Sequence, residues 1–390
     1  MRRGSLLLLA LLLVFTGTLL PYTASAAPGI STSAEAAALI DVTSGRILHS
    51  SQGDKKMRIA SLTKIMTAIV AIEHGTLSDK AKVGKNAYGK EGSSIYLKLG
   101  EEMVLKDLLY GMMLRSGNDA ATTIAEHVGG SVEGFAYLMN EKARMIGMKN
   151  SSFKNPSGLD EEEHYSTAND MAKLAAYALN NPVFREIVKT KVKKVPNPNE
   201  SWDYTWLNKN KMLNFYEGAD GVKTGYTKLA KRCLVSSATR GGQQLAVVTL
   251  NDPNDWIDHG RLLDYGFRHY PLFGLIGKGE PVEGTDLVAG AGLRYAAEEK
   301  ERGQFSRQPV LNDPLSTSYR LGEAGRLDFL LNGKVIGAVP LVAKDSPRLQ
   351  WKENSVFSAQ ETDYQGESQA GRWLYILEAL TRVLFTGQTD

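Results

Sequence analysis

A chain of 390 residues with 43% hydrophobic and 23% charged side chains has the length for about two domains, and this composition excludes general disorder. The formal charge of +3 argues against nucleic acid or an acidic polymer as an electrostatically captured partner. A single cysteine, Cys233, excludes an intrachain disulfide.

The chain opens on Arg2 and Arg3, continues through an apolar run at 6–15, and reaches the small-residue site Ala24-Ser25-Ala26. That order predicts a secretory leader over 1–26 and a mature chain from Ala27. The alternative is an uncleaved anchor, and either one exports the remainder. Residues 36–42, a Thr43-Ser44-Gly45 turn and residues 46–49 predict a hairpin. Residues 61–74 predict a helix with Ile65, Met66, Ile69, Val70 and Ile72 on its apolar surface and Gly75 as its stop. Two further helices, 105–114 and 120–127, are interrupted at Ser116-Gly117-Asn118. Ser166 or Thr167 can cap another helix that runs to about residue 180. Residues 222–227, 232–239 and 243–250 predict three strands, the last two joined at Gly241-Gly242. Cys233, inside the second, reads as a buried small hydrophobe and not as a nucleophile. Helices between two groups of strands predict an α+β fold whose antiparallel sheet is assembled from both ends of the chain.

The character changes after about residue 270. A larger domain over 27–272 is followed by strand alternation, and residues 327–331 and 335–339 flank Asn332-Gly333, a hairpin signal. This predicts a small β domain over 273–345, then a polar linker over 346–370. Residues 371–386 predict an amphipathic helix, too short and too charged to span a bilayer and suited to lying in its interface. The alternative is a terminal helix packed on its own protein.

Three short strings carry the chemistry: Ser61-Leu62-Thr63-Lys64, Ser116-Gly117-Asn118 and Lys223-Thr224-Gly225. Serine is a weak nucleophile until a base removes its proton. On a helix, Lys64 shares a face with Ser61, and burial among apolar residues lowers a lysine pKa enough for it to act as that base. Ser61 at a helix N-terminus would also meet free N–H groups that favour developing negative charge. Ser116 could relay a proton between Lys64 and a leaving nitrogen, and Asn118 could hold a substrate amide. On a strand, Gly225 would let a substrate backbone pair closely, with Lys223 and Thr224 placed to meet a carboxylate. Each string alone has an ordinary reading: a capping serine with a solvated lysine, a capping turn, an exposed strand start. Their joint occurrence in this order predicts a serine acyl-transfer enzyme with a lysine base.

The chain resembles the low-molecular-weight penicillin-binding proteins, the serine-type D-alanyl-D-alanine carboxypeptidases. The resemblance rests on Arg58-Ile59-Ala60-Ser61-Leu62-Thr63-Lys64, Leu114-Arg115-Ser116-Gly117-Asn118-Asp119-Ala120 and Gly221-Val222-Lys223-Thr224-Gly225-Tyr226-Thr227. Glu91-Gly92-Ser93-Ser94-Ile95-Tyr96-Leu97, Lys228-Leu229-Ala230-Lys231-Arg232 and Asn251-Asp252-Pro253-Asn254-Asp255-Trp256 look closest to the sporulation-specific carboxypeptidases of endospore formers. The resemblance implies a penicillin-recognising, transpeptidase-like D,D-peptidase domain. It implies that Ser61 attacks the D-Ala-D-Ala carbonyl of a peptidoglycan stem peptide and that Lys64 is its base. Ser116 and Asn118 then serve proton transfer and positioning, and Lys223, Thr224, Gly225 and Tyr226 bind substrate. The backbone N–H groups of Ser61 and Tyr226 form the oxyanion hole. β-Lactams are implied as covalent inhibitors. The implied location is the outer face of the cytoplasmic membrane or the wall space, with the C-terminal helix on the membrane surface and spore cortex synthesis as the setting.

One loop departs from the family. Asn155-Pro156-Ser157-Gly158-Leu159-Asp160 has Ser157 where many members have histidine, so no role is carried onto that position. His164 reads as a solvated or structural loop residue, and Glu161-Glu162-Glu163 as a solvated acidic loop. No cofactor is expected, and no metal-ligand spacing stands out. The competing functions are a D,D-endopeptidase, a β-lactamase-like hydrolase and a catalytically inert wall-binding protein. No glutamate motif suited to lactam turnover is found between the second and third strings.

Overall fold

The computed structural model describes residues 29–350. The expected leader over 1–26, the linker beyond residue 350 and the helix over 371–386 lie outside the described residues.

The two ends of the larger part meet in one antiparallel sheet. Its strands are β1 (Ala36–Asp41), β2 (Ile47–Ser51), β3 (Ala219–Thr227), β4 (Lys231–Arg240) and β5 (Gln243–Leu250), in the order β2-β1-β5-β4-β3. β1 pairs with β5 from Ala36 opposite Leu250 to Asp41 opposite Leu245. Every residue of β1 is buried, so the sheet is covered on both faces here. Ala36, Ala38 and Ile40 join the main apolar core, while Leu39 turns the other way, against Gly266. β3 is the outer strand at the far edge. The β1–β2 turn closes where Asp41 Oδ1 accepts the Ser44 N–H at 2.7 Å, and Gly45 takes a φ of 67° that glycine tolerates.

Helices cover both faces of the sheet. They are α1 (Thr63–His74), α2 (Leu105–Arg115), α3 (Asn118–Gly129), α4 (Val132–Met145), α5 (Ala168–Leu179) and α6 (Pro182–Lys189), with α7 (Asp255–His269) following the sheet. α1 is buried from Thr63 to Ile72, which makes it the centre of the main core. Thr167 caps α5 by accepting the Asp170 N–H. Gly75 does end α1, but in extended backbone with φ of −99°, and not in the left-handed conformation its type suggests.

Beyond α7, the strands Leu287–Ala289, Lys334–Ala343, Gly325–Leu331 and Phe305–Leu311 form an antiparallel sheet in that spatial order. A separate apolar cluster that includes Leu327, Phe329 and Leu341 lies against it. Asn332 and Gly333 have φ of 52° and 75°, the two left-handed positions of a tight hairpin turn. Arg46, at the β1–β2 turn, reaches this region. It makes paired bonds of 2.8 and 2.9 Å to Glu301 and lies over the rings of Tyr270 and Tyr295.

Candidate active site

Ser61 lies in a short 3-10 turn, Ala60–Leu62, and the α-helix begins only at Thr63. The predicted helix over 61–74 is thus tightened at its first turn. Ala60 has a φ of 47°, a strained value for a residue with a Cβ, immediately before the serine. Lys64 is fully buried one turn into the helix. Its Nζ lies 3.0 Å from Ser61 Oγ, 2.7 Å from Asn118 Oδ1 and 2.6 Å from the Ser157 carbonyl oxygen. Burial holds the Lys64 ammonium well below the ordinary lysine range; Lys223 and Lys209 add to the shift and Asp119 opposes it. A neutral amine satisfies all three contacts: it donates to Asn118 and Ser157 and accepts the Ser61 hydroxyl proton.

Ser116 ends α2 with a φ of 67° and is buried. It stands at the break between α2 and α3, and none of Lys64's three bonds goes to it. Asn118 opens α3. Its amide is committed within the protein: Oδ1 accepts from Lys64, and Nδ2 donates to the Glu91 carbonyl at 2.6 Å. Its side chain thus positions the base, beyond the substrate contact expected from sequence.

Lys223 is buried on β3 and donates to the Thr224 carbonyl at 2.8 Å. Burial, with Lys209 contributing, lowers its pKa to about 7. Gly225 brings β3 against the serine turn. A Cβ there would lie 3.2 Å from both the Ile59 carbonyl and the Ser61 nitrogen, so a larger residue would crowd the nucleophile's own N–H. Thr224 is half-buried, and Tyr226 is exposed. Contacts therefore join Ser61, Lys64, Asn118 and Gly225, and Lys223 acts on Lys64 through space.

Four contributors had no catalytic or binding role in the sequence reading. The Ser157 carbonyl is the first. It is held by an Asn155 side chain that accepts from Ser157 N–H at 3.2 Å and Gly158 N–H at 2.8 Å. Gly158 has a φ of 79°, and a Cβ there would fall 1.8 Å from the Ala60 carbonyl, so the loop lies directly on the serine turn. The second is His164, for which the structural of the two sequence readings holds, since it is buried and not solvated. Its Nε2 is 2.8 Å from Thr63 Oγ1, and its Nδ1 accepts the Lys154 N–H at 3.1 Å. Burial, with Arg58 contributing, lowers its pKa to about 4, so at neutral pH it is an uncharged brace between the loop and α1. The third is Asp119, whose buried carboxylate accepts from Ser94 Oγ at 2.6 Å, Leu97 N–H at 3.0 Å and Ile95 N–H at 3.1 Å. It fastens residues 94–97 to the start of α3. The fourth is Lys209, which donates to Ser93 Oγ at 3.3 Å and helps to lower both Lys64 and Lys223. Asp119 and the 155–160 loop stood inside the family-like strings; Lys209 left no local signal.

Cys233 is buried on β4, and burial pushes its thiol up to about 12, which removes it from nucleophilic chemistry. No cluster of His, Cys, Asp and Glu side chains among the described residues could hold a metal ion.

Comparison with known proteins identifies the family. A family model described as D-alanyl-D-alanine carboxypeptidase matches residues 22–254. The D-alanyl-D-alanine carboxypeptidase DacF of Bacillus subtilis (strain 168) is 34% identical over 334 residues, covering 80% of this chain and 85% of the relative. DacC of Escherichia coli (strain K12) is 33% identical over 349 residues, covering 81% and 84%. Among solved structures, penicillin binding protein 5 from Haemophilus influenzae is similar, with a TM-score of 0.67 at 26% identity, covering 81% of this chain and 98% of that one.

Proposed function

The chain belongs to the D-alanyl-D-alanine carboxypeptidase family, and from that premise we propose that it removes the terminal D-alanine of peptidoglycan stem peptides through an acyl-enzyme on Ser61. The observation that carries this reading is the buried Lys64 amine, 3.0 Å from Ser61 Oγ. Ser61 Oγ attacks the carbonyl of the penultimate D-alanine and its proton passes to Lys64. The tetrahedral oxyanion is met by the N–H groups of Ser61 and Tyr226. The C–N bond breaks, and the leaving amine takes a proton by way of Ser116. Water then attacks the ester, gives its proton to Lys64 and restores Ser61. Lys223 and Thr224 hold the terminal carboxylate, Asn118 holds Lys64 in register, and Gly225 admits the substrate backbone to the β3 edge. A β-lactam carbonyl enters the same attack and stays on Ser61.

The leader-like sequence over 1–26 supports export to the wall space. No helix among the described residues is long and apolar enough to cross a membrane. The apolar stretch near the C-terminus supports contact with the membrane surface. The motif likeness to sporulation-specific carboxypeptidases supports a role in spore cortex synthesis.

The test combines labelled penicillin with a pentapeptide ending in D-Ala-D-Ala. Wild-type protein should be labelled and should release free D-alanine; Ser61→Ala should do neither while remaining folded. Labelling that persists in Ser61→Ala removes Ser61 from the reaction. Rapid release of hydrolysed penicillin would point to the lactamase alternative, and cleavage only of cross-linked peptides to the endopeptidase.

A further inference from the structure

Tyr96 is 83% exposed and has a φ of 65°. A bulky side chain in left-handed backbone is strained, and an exposed ring gains no burial to offset it. The strain is imposed by the neighbours. Asp119 fixes Ser94, Ile95 and Leu97 on either side, Ser94 Oγ accepts the Tyr96 N–H at 2.8 Å, and Ile95 is buried. Asp119 directly follows Asn118, the residue that holds Lys64. The start of α3 that orders the base thus also holds an aromatic ring out in solvent, five residues from the Glu91 carbonyl that Asn118 bonds.

A second exposed aromatic, Trp202, is 62% exposed. Its loop is joined to the Tyr96 loop by an ion pair from Lys98 to Glu200 at 2.9 Å and by a bond from Asn199 to Glu101 at 2.9 Å. Ile95, beside Tyr96, and Trp206, at the end of the Trp202 segment, are both buried against Gly111, so the two segments pack on the same turn of α2. Aromatic faces among charged and amide side chains match a sugar ring, which presents C–H groups on its face and hydroxyls around its edge. A purely apolar partner would strip water from the exposed Lys98–Glu200 pair and return no hydrogen bond to it.

Building on the carboxypeptidase reading, we propose that Tyr96, supported by Trp202, is a specificity-determining residue that stacks on a saccharide ring of the glycan to which the stem peptide is attached. The test compares D-alanine release from a free pentapeptide and from the same pentapeptide attached to a glycan disaccharide, for wild type, Tyr96→Gly and Trp202→Ala. Tyr96→Gly should leave kcat/KM on the free peptide within about twofold and lower it roughly fivefold to tenfold on the disaccharide-peptide, through KM. Its Tm should be unchanged or raised, because glycine relieves the strain. Trp202→Ala should show the same selectivity with a smaller loss. Equal losses on both substrates, or none on either, overturn the proposal. If wild-type protein releases D-alanine from neither substrate, the carboxypeptidase reading fails separately. Titration with the peptide-free disaccharide then decides the glycan contact: binding weakened by Tyr96→Gly supports it, and no binding by wild type overturns it.

Discussion

Lys64 and Lys223 are both lysines buried without a carboxylate bonded to Nζ, and burial lowers both for the same reason: an ammonium loses its hydration shell. The consequence differs with the task. A lowered Lys64 suits a base, which must be neutral to accept a proton. A lowered Lys223 limits the carboxylate binding proposed for it, which needs a charge. With its pKa at about 7, the empty site loses that charge as pH rises. The affinity of Ser61→Ala protein for a D-Ala-D-Ala peptide should therefore weaken above about pH 7, by up to about tenfold per unit. Calorimetry or fluorescence titration across that range reads the effect. In Lys223→Arg, whose guanidinium stays charged, the profile should be flat. A wild-type affinity that ignores pH would remove Lys223 from carboxylate recognition. The identities of both lysines were plain in the sequence, in S-x-x-K and K-T-G strings. Their electrostatic setting was not, because Lys209 lies far from Lys64 along the chain and acts only through space.

At the scale of elements, two loops complete what the helices begin. The 155–160 loop delivers the Ser157 carbonyl to Lys64 and is pinned to α1, where Thr67 Oγ1 donates to the Pro156 carbonyl at 2.7 Å. Its fit depends on Gly158. Gly158→Ala would force a Cβ onto the Ala60 carbonyl, so it should cost at least about 2 kcal/mol in urea unfolding. It should also slow penicillin labelling of Ser61, since the loop can escape the clash only by withdrawing from Lys64. Unchanged stability and labelling would show that the loop does not seat on the serine turn as described. His164 braces the same loop, and its lowered pKa has a sign that can be followed. An unfolded histidine takes up a proton near pH 6.5, whereas folded His164 resists until about pH 4. The unfolded state therefore binds more protons in that window. Stability is full above about pH 6.5 and is lost as pH falls toward about 4, by up to about 3 kcal/mol. His259, buried between Ser236 and Thr249 and lowered to about 3, contributes a parallel loss. His164→Gln should make the decline between about pH 6.5 and 4 shallower while leaving the His259 share. An unaltered slope in chemical denaturation would sink this account. Of these elements, the sheet strands and α1, α2, α3 and α5 were legible from apolar periodicity and turn residues, whereas α4, α6 and α7 were not read. The loops were not, because their order comes from Asn155, Asp119 and His164 bonding to backbone groups distant in space.

At the scale of the whole molecule, the sheet draws β1 to β5 and so unites the two ends of the larger part, while Arg46 ties the β1–β2 turn to the strands that follow α7. The Arg46–Glu301 pair is largely buried, and its bidentate geometry is the stronger kind of ion pair. Arg46→Ala should cost about 1–3 kcal/mol, because it leaves Glu301 partly buried and unpaired. Proteolysis near residues 297–304 should accelerate while the rate of penicillin labelling at Ser61 stays the same. A loss of labelling in parallel would mean that the later strands support the site directly. The sequence by itself determined the chemistry and the local elements: a serine, a lysine one helical turn on, a broken helix, and a glycine on a strand. These follow from residue type and short-range periodicity, which a chain carries wherever it folds. Only the tertiary structure decided what surrounds the Lys64 amine. Its partners are a side-chain amide 54 residues away and a backbone carbonyl 93 residues away. Every residue carries a carbonyl, so no residue type could mark the one at Ser157; packing on the serine turn selects it.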